Sequence, residues 1–242
     1  MSVTSRYRQS WESFWSEASG EQGAVFWDAE PVLTSAPHLA LFEPYLPDPG
    51  LPMVDLGCGN GTQTRFLADR FPRVLGVDLS TAALGHARRA DPGGQASYRV
   101  VDAAEKTETD ALRGDLGEAN VYVRGVLHQS EPDDRQSFVD GLAALIGEHG
   151  RAFVIEPSRA AEAVLLGLAE APGGPPAKLA PVLRHGITPG AMADDEMPEF
   201  LRSAGLTVLA AGELPLKTTE YGPDGTRLEV PSRWLVTGRS AG

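Results

Sequence analysis

Hydrophobic positions along the 242-residue chain follow two different grammars. Over residues 4 to 47 they recur at helical spacing. Tyr7, Trp11, Phe14 and Trp15 stand at i, i+4, i+7 and i+8, one stripe of a helix. Phe26 and Trp27 follow, and a second helix is expected around 37 to 46. From Met53 onward short apolar runs alternate with amphipathic ones. MVDL, RVLGVD, SYRVVD, NVYVRG and RAFVIE read as strands. Between them TQTRFLADRF, STAALGHARRA, residues 105 to 116 and PDDRQSFVDGLAALIG read as helices, with Ser80 an N-cap and Pro132 opening the last. Phe138, Leu142, Leu145 and Ile146 form the buried stripe of that helix, which stops at Gly147.

Strand–helix repetition of this kind predicts an α/β fold, a Rossmann-like doubly wound sheet, mostly parallel, with helices on both faces. A helix is expected at 159 to 170, and residues 171 to 192 then break the pattern with Pro172, Pro175, Pro176, Pro181 and Pro189. A structureless stretch of that length suits a lid or mobile segment on the substrate side. A helix at 194 to 204 follows, and strands at about 206 to 213 and 230 to 237 flank the turn signal PDG at 223 to 225. These last strands are expected to pair antiparallel and close one sheet edge. The expected organisation is an N-terminal helical cap, 1–48, on a single globular unit, 49–242.

Composition narrows the setting. A chain that is 42% hydrophobic and 22% charged suits one folded domain, and its single cysteine, Cys58, rules out an intrachain disulfide. No stretch has signal-peptide or membrane-span length, so a cytoplasmic, soluble protein is expected. The formal net charge of −12 and the scatter of basic residues disfavour a nucleic-acid partner. The five histidines are dispersed, with no metal-ligand spacing among them, so no metal is expected.

The chemistry concentrates in VDLGCGNGT, residues 54 to 62. Glycines at 57, 59 and 61 leave a bare bend directly after a strand, where a ligand can touch backbone. The dinucleotide fingerprint G-x-G-x-x-G requires a third glycine where Thr62 stands, and Asp55 would be a liability beside a pyrophosphate. Asp78 ends the second strand and can accept both hydroxyls of a ribose. Asp102 ends the third and can accept from an adenine amine, or merely cap the helix after it. Three acids at successive strand ends suit a ligand with an amine, a ribose and an adenine.

This ordered set resembles the class I S-adenosylmethionine-dependent methyltransferases. The likeness covers roughly residues 50 to 240: VDLGCGNG, Asp78, Asp102, the fourth-strand segment NVYVRGVLHQ and the fifth strand GRAFVIEP. The resemblance implies a seven-stranded sheet with a reversed last strand and S-adenosylmethionine as cofactor, released as S-adenosylhomocysteine. It places Gly57 and Gly59 at the methionine part, with Asp55 near its ammonium or holding the loop. Asp78 would take the ribose, Leu79 would pack on adenine, and Asp102 with Ala103 would read its edge. Cys58 is counted within the cofactor loop as a small filler and not a nucleophile.

On the acceptor side, His128 just after the fourth strand is the candidate general base, or else it packs against the following helix. Arg124, at that strand's end, either holds a carboxylate of cofactor or substrate or forms an ordinary salt bridge. His185 is a second candidate on the substrate side. Tyr7, Trp11, Trp15 and Trp27 are expected to line the acceptor pocket as a water-excluding lid, against the alternative of plain core. The reaction expected is methyl transfer to an O or N atom of a small molecule, a specialised metabolite, by a monomer or homodimer. The alternatives are an NAD(P)-dependent oxidoreductase and a cofactor-binding protein of this fold that does not methylate.

Overall fold

A computed structural model describes residues 3–187 and 192–240, so Pro189 of the proline-rich segment lies outside the described residues. Helix α1 (Val3–Glu17) and helix α2 (Ser35–Phe42) precede the sheet, joined by an irregular segment with a 3-10 turn at Pro31–Leu33. The alternating core then runs β1 (Met53–Leu56), α3 (Thr62–Ala68), β2 (Val74–Asp78), α4 (Thr81–Ala90), β3 (Ser97–Val100), α5 (Lys106–Leu116) and β4 (Asn120–Arg124). It continues with α6 (Arg135–Ile146), β5 (Ala152–Pro157), α7 (Ala160–Ala169), α8 (Ala180–Arg184) and α9 (Glu196–Ser203). Strands β6 (Thr207–Glu213), β7 (Leu216–Tyr221), β8 (Arg227–Val230) and β9 (Ser232–Gly238) end the chain.

Seven strands form one sheet in the order β3-β2-β1-β4-β5-β9-β6. β1 lies between β2 and β4, pairing parallel with both, and every one of its residues is buried. β9 runs antiparallel to β5 and to β6, giving the reversed last strand. Successive residues feed opposite faces, as a period of two requires. Val54, Leu56, Val121, Val123 and Val154 meet Leu112 of α5, Leu142 and Leu145 of α6 and Leu201 of α9. Met53, Tyr122, Phe153 and Ile155 meet Leu39 and Phe42 of α2 and Leu67 of α3. Phe153 anchors that second face, stacked between Tyr122 (5.9 Å, 7°) and Trp234 (6.1 Å, 15°).

Two expectations need correction. The PDG turn does not join the last two strands of the sheet. β6 and β9 do pair, but residues 216 to 230 between them fold into a separate hairpin, β7–β8, with Gly222 and Gly225 at its tip. Its strand LKTTEY buries only Thr218, so its polarity conceals it in the sequence. The proline-rich segment is also not structureless. It contains α8, and Leu179, Val182 and Ile187 are buried. They pack with Phe14, Trp15 and Phe26 of the N-terminal segment and Val230 of β8 in a third hydrophobic cluster. This cluster is distinct from the two beneath the sheet's faces and is built from stretches remote in sequence, with Ala83 of α4 and Ala161 of α7 among its members. α2, by contrast, packs on the sheet. Among the described residues no helix is long and apolar enough to cross a membrane.

Candidate active site

Parallel pairing puts the carboxyl ends of β1 to β5 on one edge of the sheet, where ligands of doubly wound folds sit. A cavity of about 210 Å3 opens there, beneath the third cluster. Its wall contains Asp55, Gly57, Cys58, Gly59, Asp78, Leu79, Asp102, Ala103, Arg124 and His128, together with Tyr7, Trp11, Trp15 and Trp27 from the N-terminal segment.

The glycine loop turns in left-handed backbone at Gly57 (φ 81°) and Gly59 (φ 54°), a conformation that side chains disfavour. A Cβ on Gly59 would also lie 2.8 Å from the Trp15 ring, so the loop is bare because the lid presses on it. Asp78 accepts from the Gly59 amide (2.8 Å) through one oxygen and from the Ser80 amide (2.9 Å) through the other. It thereby ties the loop to β2 while keeping lone pairs for a further donor. Burial lifts its carboxyl to about 6. Asp55 accepts from the Thr64 hydroxyl at 2.6 Å, coupling β1 to α3, and burial raises it to about 7. Burial pushes the Cys58 thiol well above its usual range, which removes it as a nucleophile.

Asp102 accepts from the Ala104 amide (3.0 Å) and pairs with Arg8 of α1 at 2.8 Å. Leu79, Val101, Ala103 and Phe138 provide apolar wall around it. Arg124 donates to the Trp27 carbonyl at 2.8 Å, and its Nε is buried without a hydrogen-bond partner. Arg124 lines the cavity and forms no salt bridge among the described residues.

His128 sits in a 3-10 turn, Leu127–Gln129, held by a carboxylate that sequence reasoning missed. Glu156, near the end of β5 and 1% exposed, accepts from the amides of Val126 (2.8 Å), Leu127 (2.9 Å) and His128 (3.2 Å). It also lies 2.6 Å from His128 Nδ1. A carboxylate there requires a proton on Nδ1, so Nε2 carries the lone pair. The Gln129 amide nitrogen donates to that Nε2 at 2.8 Å, and Gln129 Oε1 is buried without a partner.

Two further contacts were missed. Asp28, buried on the cavity wall, accepts from Gly23 N and Asn60 Nδ2, both at 2.8 Å, and so ties the N-terminal segment to the glycine loop. Glu12 of α1 accepts from the Ser80 hydroxyl at 2.7 Å and from Ala82 N at 3.2 Å. Glu156 had a legible signal, since it ends a strand as Asp78 does. Asp28, Glu12 and Arg8 had none. His185 is the one named residue outside the cavity wall. Its Nε2 lies 3.1 Å from Glu17 and its ring is edge-on to Phe14.

Residues 53–150 match the family model of a methyltransferase domain. Over 95 residues the chain is 40% identical to trans-aconitate 2-methyltransferase of Variovorax paradoxus, covering 38% of this chain and 34% of that one. Over 130 residues it is 34% identical to the enzyme of that name from Streptomyces avermitilis, covering 48% and 47%. The chain thus spans less than half the length of these curated relatives. A crystal structure of a SAM-dependent methyltransferase from Anabaena variabilis superposes over 99% of this chain and 96% of its own, with a TM-score of 0.88 and 29% identity. The sheet order, the glycine loop with its strand-end acids and these likenesses converge: residues 53–150 carry a methyltransferase domain, and the fold of the whole chain is that of the class I S-adenosylmethionine-dependent methyltransferases, which it resembles.

Proposed function

We propose that this protein transfers the methyl group of S-adenosylmethionine to an O or N atom of a small molecule, a specialised metabolite, with His128 as general base. One observation carries the reading: the strand-end acids, His128 and the aromatic residues line one and the same cavity. When bound, the cofactor supplies a methyl group already activated on a sulfonium.

The chain's residues fit such a guest. Gly57 and Gly59 offer backbone where a Cβ would clash with Val126 or Trp15. The unpartnered Nε of Arg124 matches the carboxylate of the methionine part. Asp78 retains acceptor capacity for the ribose, and Asp102 with Ala103 for the adenine edge. Tyr7, Trp11, Trp15 and Trp27 exclude water and fix the acceptor, and orientation then contributes much of the rate. The acceptor displaces the Gln129 amide from His128 Nε2, which takes the proton that the acceptor loses, with Glu156 holding the ring. Trans-aconitate, in the relatives' name, supports an acceptor of small-molecule size. Net charge of −12 speaks against nucleic acid, and the absence of a long apolar helix among the described residues fits a cytoplasmic setting.

The test is calorimetry with S-adenosylhomocysteine and with NAD, followed by turnover of the cognate acceptor. Binding of the homocysteine product without NAD binding is expected. His128→Ala should then slow transfer by about 100-fold or more. NAD binding alone would overturn the methyltransferase reading, and unchanged turnover across pH would remove His128 from the reaction.

A further inference from the structure

We infer that the acceptor is a flat, uncharged, mostly apolar molecule presenting one hydroxyl or amine to His128, and not a polycarboxylate. The inference rests on the methyltransferase reading above and narrows its acceptor.

The wall beyond His128 is apolar from several directions. Trp11 and Trp27 meet edge to face, with centroids 5.5 Å apart. Leu165 of α7, Val182 of α8 and Leu216 and Val230 of the β7–β8 hairpin close the space. An ionised group entering it would lose water against a wall that is mostly hydrocarbon. Among the described residues that wall offers no free cation, only neutral donors such as the Tyr7 hydroxyl and the indole N–H groups. Aromatic faces instead favour a planar guest.

Charge points the same way. The cavity's described lining carries Asp28, Asp55, Asp78, Asp102, Glu131 and Asp134, against the cations Arg8, Arg124 and Lys217. Arg8 is paired with Asp102 and Lys217 with Glu229. Arg124 already serves the Trp27 carbonyl, and its spare Nε is matched by the cofactor's single carboxylate. Three carboxylates of a molecule such as trans-aconitate would meet acids and indoles. The polar provision that remains is the Tyr7 hydroxyl and Gln129 Oε1, both buried without a partner, beside His128 Nε2, which one N–H or O–H donor reaches by displacing the Gln129 amide.

Calorimetry on the full chain tests this, first with S-adenosylhomocysteine alone and then on the loaded protein with 2-naphthol and with trans-aconitate. 2-Naphthol is expected to bind at least tenfold more tightly than trans-aconitate. Trp27→Ala should weaken it at least fivefold, as should Leu165→Ala, a milder change at a half-buried position. Trans-aconitate binding as tightly as 2-naphthol overturns the inference, as does a loaded protein that binds no 2-naphthol. It is equally overturned if neither variant weakens the naphthol. Failure of S-adenosylhomocysteine to bind is a separate outcome, and it overturns the methyltransferase reading together with the inference.

Discussion

Glu156 concentrates the acceptor side's organisation in one buried carboxylate. Its charge is tolerable at 1% exposure because three amides and the His128 ring surround it. Glu156→Gln keeps the shape but turns an NH2 group toward donors. We expect a stability loss of about 2 kcal/mol by thermal unfolding. We also expect kcat to fall by about 100-fold with the KM for cofactor unchanged, because the ring's tautomer is no longer dictated. A purely structural residue would instead lower the amount of folded enzyme and leave kcat per folded molecule alone. Asp78 gives a pH dependence. Its carboxyl is raised to about 6 by burial, so in the free protein its stability contribution is present at low pH and lost as pH rises through that value. Cofactor binding has the opposite sign, since a ribose hydroxyl donates to the ionised form and binding must expel a proton below the shifted value. Affinity for S-adenosylhomocysteine should therefore hold steady above about pH 7 and fall by about tenfold per unit below about pH 6. Calorimetry at both ends checks it, and Asp78→Asn should abolish the slope.

At the scale of elements, α1 lies over the cavity, and polar clasps rather than its own propensity hold it there. Glu12 reaches the start of α4, Arg8 reaches Asp102, and the Trp15 carbonyl meets His86 Nε2 at 2.8 Å. Glu12 and Arg8 land on the β2–α4 and β3–α5 connections, the one following Asp78 and the other containing Asp102, and His86 lies within α4. Glu12→Ala is expected to raise the dissociation rate of S-adenosylhomocysteine by about tenfold, or about 1.4 kcal/mol, in stopped-flow measurements. The main unfolding transition should survive, because no sheet contact is lost. Elements of the sheet were legible because parallel strands buried on both faces read as unbroken apolar runs. The β7–β8 hairpin was not: Lys217, Thr218, Thr219 and Glu220 make its first strand polar, so no apolar run marks it. α8 was hidden by the prolines, although Pro181 in its first turn costs a helix little.

Across the whole molecule, two clusters hold the sheet and a third holds the cap. The cap's stretches meet only in space, so they should open without unfolding the sheet. Amide exchange in residues 11–27, 179–187 and 216–230 should be faster than in β1, β4 and β5, and should slow when S-adenosylhomocysteine binds. Exchange that is equally slow in all of them would show that cap and sheet form one cooperative unit. The sequence by itself determined the order of strands and helices from β1 to α7, the bare glycine loop and the acids at strand ends. Those are local features, set by residues within a turn or two of each other. Only the tertiary structure decided what faces what. Glu156 finds His128 across 28 positions, Asp28 finds Asn60 across 32, and Arg8 finds Asp102 across 94. Such contacts depend on crossovers and sheet order, which bring strand ends to one edge and fold remote apolar segments over it, and no spacing along the chain encodes them.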